Sequence, residues 1–196
     1  MSEEITPVQR LSGYLSEGHE NLAIDYLKRY SDILGYSDII TGSWLHEAAK
    51  YGMLNLVDYL ISAGLDINKA TGKEQSTVIG KAVTADDIPN RPEFVRALLQ
   101  RGADPNISRP LISALLPRRG DEEVSLELVR LLVEEGGADV NRIYDVYGDP
   151  NNTFTAVEWA EAHGRHKIAA YLRSKGAVDR PPQPAPPPPP AKKKRK

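Results

Sequence analysis

Four histidines and a scatter of acidic pairs are the residues of this chain that could do chemistry. His163 and His166 stand three apart around Gly164 and could offer two nitrogens to a zinc ion. A zinc site needs at least one more protein ligand, and no carboxylate set nearby has the spacing to supply it. Asp86-Asp87 and Glu122-Glu123 have the composition of an acid/base pair. They lie in hydrophilic runs, where nothing would push their pKa values apart. Gly80-Lys81 lacks the upstream glycine of a phosphate-cradling loop, and there is no Gly-x-Ser-x-Gly elbow. The 196 residues include no cysteine, which excludes disulfides, thiolate metal sites and a cysteine nucleophile. A non-enzyme with no cofactor and no metal is therefore expected. The competing enzyme reading centres a hydrolytic or metal-dependent activity on His163 and His166.

The elements that must carry these residues recur along the chain. One segment reads Ala63-Gly64-Leu65-Asp66-Ile67-Asn68, then Arg101-Gly102-Ala103-Asp104-Pro105-Asn106, then Gly137-Ala138-Asp139-Val140-Asn141, and in part Lys175-Gly176-Ala177-Val178. Its glycines lie 38, 35 and 39 residues apart, a period that signals a repeat architecture. Each copy follows an apolar run: Leu56–Ile61, Phe94–Leu99, Leu128–Val133 and Ile168–Leu172. Apolar residues at i, i+1, i+4 and i+5 give a broad buried helix face. The glycine then falls where a left-handed cap is needed, and Asp66, Asp104 and Asp139 recur as turn residues.

A second signature precedes each run: Ser43-Trp44-Leu45-His46-Glu47-Ala48-Ala49, Thr77-Val78-Ile79-Gly80-Lys81-Ala82-Val83, Arg109-Pro110-Leu111-Ile112-Ser113-Ala114-Leu115 and Thr155-Ala156-Val157-Glu158-Trp159-Ala160-Glu161. Ser or Thr suits a helix N-cap, and Pro suits a first turn. This resembles the ankyrin repeat, whose first helix opens Thr-Pro-Leu-His-x-Ala-Ala; the motif alanine falls at Ala48, Ala82, Ala114 and Ala160. The resemblance implies an all-α fold: an ankyrin-repeat solenoid of about five helix-turn-helix repeats joined by β-hairpin-like loops. It makes residues 1–39 a degenerate capping repeat and 40–178 the ankyrin repeats. It gives His46 a structural role, tying hairpin backbone groups of adjacent repeats. Trp44 and Trp159 are expected to pack against neighbouring repeats, Trp159 at a leucine-type inner site.

Departures from the pattern are where individual function would be written. Thr84–Pro92 adds about four residues between helices, Leu116–Glu123 is charged and irregular, and Arg142–Phe154 makes a long hairpin. In ankyrin proteins, partners dock on hairpin tips and the concave face of the first helices. Carried over by position, that surface includes Lys50, Tyr51, Lys73, Glu74, Gln75, Arg118, Arg119, Tyr147, Asn152, Phe154 and His163. Tyrosine, arginine and other aromatic residues are the usual interface anchors.

Residues 1–178 hold 19 Lys and Arg against 26 Asp and Glu, a net charge of −7, while 179–196 carry +5. Residues 179–196 are expected to form a disordered proline-rich linker with a basic end, Lys192, Lys193, Lys194, Arg195 and Lys196. That end resembles a nuclear import signal; Pro187–Lys192 also fits a Pro-x-x-Pro-x-basic ligand. It could equally make weak, salt-sensitive contact with nucleic acid or anionic lipid, or merely solubilise the chain.

The expected function is a protein–protein interaction module that binds and inhibits one specific partner. Compact, cysteine-free arrays with irregular hairpins resemble single-domain bacterial ankyrin proteins, some of which are immunity partners of a toxin. A basic toxin or effector would then meet the −7 body. The alternative is a eukaryotic nuclear adaptor or inhibitor imported through the tail. No small-molecule substrate is expected, and no apolar run reaches the length of a membrane span. The expected location is cytoplasmic, or nuclear in a eukaryote.

Overall fold

The computed structural model describes residues 5–73, 75–116, 122–146 and 149–180, with the backbone alone at 146, 150 and 151. The chain divides into two compact units, residues 1–139 and 140–196. It is mostly helical, and no helix among the described residues is long and apolar enough to cross a membrane.

The first unit opens with α1 (Pro7–Ser16), α2 (Glu20–Arg29) and a short 3-10 turn, Ser31–Ile33. Strands β1 (Ser37–Asp38) and β2 (Gly42–Ser43) form a small antiparallel hairpin. Then come α3 (Trp44–Lys50), α4 (Leu54–Ser62), α5 (Val78–Thr84), α6 (Arg91–Gln100), α7 (Pro110–Leu115) and α8 (Glu122–Arg130). The helices pair in sequence order, and each pair packs on the next. Thus α2 meets α4, α3 meets both α4 and α5, and α5 meets both α6 and α7, while α8 packs on α7 and α6.

The caps follow from the sequence. Thr77 Oγ1 accepts the Gly80 N–H at the start of α5, and Ser43 forms a reciprocal cap with His46 at the start of α3. Each cap satisfies N–H groups that a helix start leaves without partners. At the far ends of α4 and α6, Gly64 and Gly102 take φ of +94° and +86°, a conformation a side chain would strain. The second helices bury the apolar run: Leu56, Val57 and Leu60 on α4, and Phe94, Val95 and Leu98 on α6. Ala48, Ala82 and Ala114 are buried on the first helices, where their small side chains let neighbouring helices approach.

One irregularity was not expected. From Leu128 to Gly137 is nine positions, against eight from Phe94 to Gly102. The additional residue is absorbed in a π turn, Leu131–Glu135, that continues α8. Such turns take up single insertions in α-helices. Gly136 follows, and a Cβ there would come within 2.8 Å of both the Leu132 carbonyl and Leu99 Cδ2.

The second unit contains β3 (Tyr144–Val146), β4 (Asp149–Phe154), α9 (Ala156–Ala162) and α10 (His166–Ser174). β3 and β4 pair antiparallel, Tyr144 opposite Phe154, with an irregularity after Asp145. Thr155 caps α9 through a box closed by Glu158. Val157, Ala160, Ile168, Ala169 and Leu172 form the interface of α9 with α10.

Candidate interaction surface

The turns between helix pairs are held by a recurring clamp. The Asn68 side chain donates from Nδ2 to the Gly102 carbonyl (2.9 Å), and its Oδ1 accepts the Asp104 N–H (2.8 Å). Asn106 repeats this with Gly137 (3.1 Å) and Asp139 (2.8 Å). Within the second unit, Asn141 does the same with Gly176 (2.9 Å) and Val178 (2.8 Å). A carboxamide can donate and accept at once, so one side chain satisfies both a C=O and an N–H of the following turn. Asp66 and Asp104 shape the turns that present these asparagines. Each accepts the backbone N–H two residues on, at 2.8 and 2.7 Å, an Asx turn.

His46 fixes the root of the next hairpin. Its Nδ1 accepts the Ser43 N–H (3.3 Å), so the neutral ring carries its proton on Nε2 and donates it to the Ser76 carbonyl (2.9 Å). Thr71 Oγ1 lies 3.2 Å from the same nitrogen. Thr71 and Ser76 bridge the two arms of that hairpin. Gly42 makes room: a Cβ there would lie 2.6 Å from Thr71 Oγ1. Burial holds the His46 pKa below the ordinary histidine value.

The sign of the consequence is fixed. A histidine depressed in the folded state binds its proton more readily when unfolded, so stability falls as pH drops below the ordinary value of about 6.5. His46→Gln should remove the part of that pH dependence that lies between pH 6.5 and the folded-state value. Melting midpoints of both chains across that window check it; identical slopes would show that His46 does not titrate with folding.

At the tips, the side chains turn outward. Ile39 and Ile40 cap the β1–β2 hairpin at 73% and 76% exposure. Asp38 shapes that turn by accepting the N–H groups of Ile40 (2.6 Å) and Thr41 (3.1 Å), which hold its carboxyl below the usual range. The Lys73 N–H donates to the Ile39 carbonyl (2.6 Å), joining this tip to the next. Lys73 and Gln75 are exposed there, and Gln75 takes φ of +47°.

The other expected contact residues fall into separate places. Lys50 Nζ donates to the Tyr51 hydroxyl (3.1 Å) at the end of α3. Asn152 is exposed on β4. Phe154 is half-buried, packed between Tyr144 and Trp159. His163 is exposed, stacked on Trp159 with Nδ1 donating to the Trp159 carbonyl (2.8 Å). Glu74, Arg118, Arg119, Tyr147 and Lys192–Lys196 lie outside the described residues.

Three expectations meet a different geometry. Trp159 was expected at a leucine-type inner site; it is half-buried in an aromatic row of its own unit, whereas Trp44 is buried and donates to the Ile33 carbonyl (2.8 Å). The insertion at 84–92 folds inward, burying Ala85, Ile88 and Pro92, with Ile88 against Gly52. The segment expected to begin at 179 starts with two tethered residues: Asp179 pairs with Arg173 and Arg180 with Glu158. His163 and His166 do not converge, since His166 Nδ1 faces Glu161 (2.7 Å). No group of three or more metal-ligating side chains forms among the described residues.

No family model matches the chain. Over 128 residues, 63% of its length, it is 30% identical to alpha-latrocrustotoxin-Lt1a of Latrodectus tredecimguttatus. It spans 8% of that protein.

Sequence reasoning passed over two sets of residues. The asparagines of the clamp were visible as the last letter of Asp-x-Asn, but only the aspartates received a role. Ile39-Ile40 carried a signal too, since adjacent β-branched residues beside Thr41-Gly42 leave a turn with an apolar tip.

Proposed function

We propose that this chain is an ankyrin-repeat protein that binds another protein through its hairpin tips and the first helices that adjoin them. The observation that carries this reading is the pairing of a fixed hairpin root with an apolar tip. The Ser43 N–H bonds to His46 at the base of the β1–β2 hairpin and the Lys73 N–H braces its turn at the Ile39 carbonyl, while Ile39 and Ile40 stand out into solvent at the end. Adjacent exposed isoleucines on a rigid turn offer apolar area whose ordering cost has been met in the free protein, which favours association. The recurring asparagine clamp and the glycine caps support the ankyrin reading. The −7 charge of residues 1–178 favours a basic partner surface, such as a basic toxin or effector.

Affinity capture with the full-length chain, followed by titration of the captured partner, tests the reading. Ile39→Asp and Ile40→Asp should each weaken binding at least about tenfold, the size of an ordinary interface anchor. Arg29→Ala, at the end of the second helix α2, should leave it unchanged. Equal affinity for all three variants would remove the hairpin tips from the interface.

A further inference from the structure

The second unit carries a row of rings. Tyr144 stacks on Phe154 with centroids 5.8 Å apart, Phe154 packs on Trp159 at 4.8 Å, and Trp159 stacks on His163 at 4.3 Å. Tyr144 is buried, Phe154 and Trp159 are half-buried and His163 is exposed. The row therefore comes to the surface as an aromatic ledge at its His163 end. Trp159 Nε1 is shut off from solvent and meets no acceptor among the described residues.

The chain leaves its described part beside this row. Arg180 clasps Glu158 with two bonds, Nε to Oε1 at 2.8 Å and Nη2 to Oε2 at 2.6 Å. It also donates to the Thr153 hydroxyl (3.0 Å) and the Thr153 carbonyl (2.7 Å). Thr153 and Glu158 are the immediate sequence neighbours of Phe154 and Trp159. Asp179, one residue earlier, is held by Arg173 (2.8 Å). Two successive tethers thus fix the point from which the sequence Pro181-Pro182-Gln183-Pro184-Ala185 and Pro186–Pro190 continues.

Proline suits such a ledge. Its ring packs on aromatic faces, its carbonyl is an acceptor with no adjacent N–H to satisfy, and a proline run loses little entropy on becoming extended. Aromatic grooves recognise polyproline segments for these reasons. We propose that the ledge of Phe154, Trp159 and His163 is a docking site for the chain's own proline segment, residues 181–190, with proline rings packing on the exposed aromatic edges. The docking is independent of the partner reading.

The indole resonances of the isotope-labelled full-length chain test it. The chain has two tryptophans, and Trp44, bonded to Ile33, serves as the internal control for folding. Cross-peaks from the Trp159 ring to proline side-chain protons are expected in the native chain. Replacing the eight prolines at 181, 182, 184 and 186–190 with serine should abolish them. It should shift the Trp159 resonance while leaving the Trp44 resonance in place. A Trp159 resonance unaffected by the replacement would overturn the proposal. So would cross-peaks found only between differently labelled molecules, which would put the segment on a second copy.

Discussion

Replacing Leu98 with alanine should lower the stability of the first unit by about 2–5 kcal/mol, the range for deleting a buried leucine side chain. Leu98 is fully buried on α6, the helix that packs against α5 on one side and α8 on the other. The lost methyl groups leave a void that neither neighbour can close alone. The Leu98 carbonyl accepts the N–H groups of Arg101 and Ala103 at the turn, so relaxation of the helix to fill the void would disturb the following clamp. The thermal midpoint should fall by roughly 5–15 °C for a unit of this size. Calorimetry or circular dichroism reads this directly. An unchanged melt would show that Leu98 does not lie in a packed layer between helix pairs.

Asn68→Ala should cost about 1 kcal/mol, the worth of one net hydrogen bond, though it removes no apolar contact. The substitution strands the half-buried Asp104 N–H, while water can replace the lost donor at the exposed Gly102 carbonyl. Because the Asp104 N–H sits on the turn that ends α6, the change should also be local. Hydrogen exchange at Asp104 should accelerate well before exchange at Leu98. Asn68→Asp keeps the acceptor and loses the donor, so it should retain Asp104 protection and forfeit the bond to Gly102. Equal protection of Asp104 in the native chain and Asn68→Ala would show that the clamp carries no load.

The helical pairs were legible because their signals are local. An apolar face repeated every helix, a Ser or Thr at the start of a helix and a glycine at the end each act within a few positions of the chain. The π turn at Leu131–Glu135 was countable as one extra residue before Gly137, yet the count does not say whether a loop or a helix takes up the insertion. The asparagine clamp escaped because it spans more than thirty residues, so its meaning appears only when two turns lie side by side. Trp159 was misplaced because position within the repeat predicts a leucine-like core site, while the long hairpin before it brings Tyr144 and Phe154 alongside and makes a separate aromatic row. Arg180 was read into a solvated segment from composition alone; the ion pair with Glu158 depends on where the end of α10 returns, which composition does not encode.

Of the expected contact residues, Lys73 and Gln75 are exposed, since turn tips face outward wherever their roots are tied. Phe154, expected on the same ground, is half-buried. An aromatic near a hairpin end can pack on its own unit as readily as on a partner.

The most direct test of partner binding through the hairpins is hydrogen exchange on the chain alone and in complex with its captured partner. The hairpin-tip reading predicts slowed exchange at residues 37–42 and 71–76 and along α3 and α5, with the outer face of α2 unchanged. Protection confined to residues 181–196, or none on the hairpins, would contradict it.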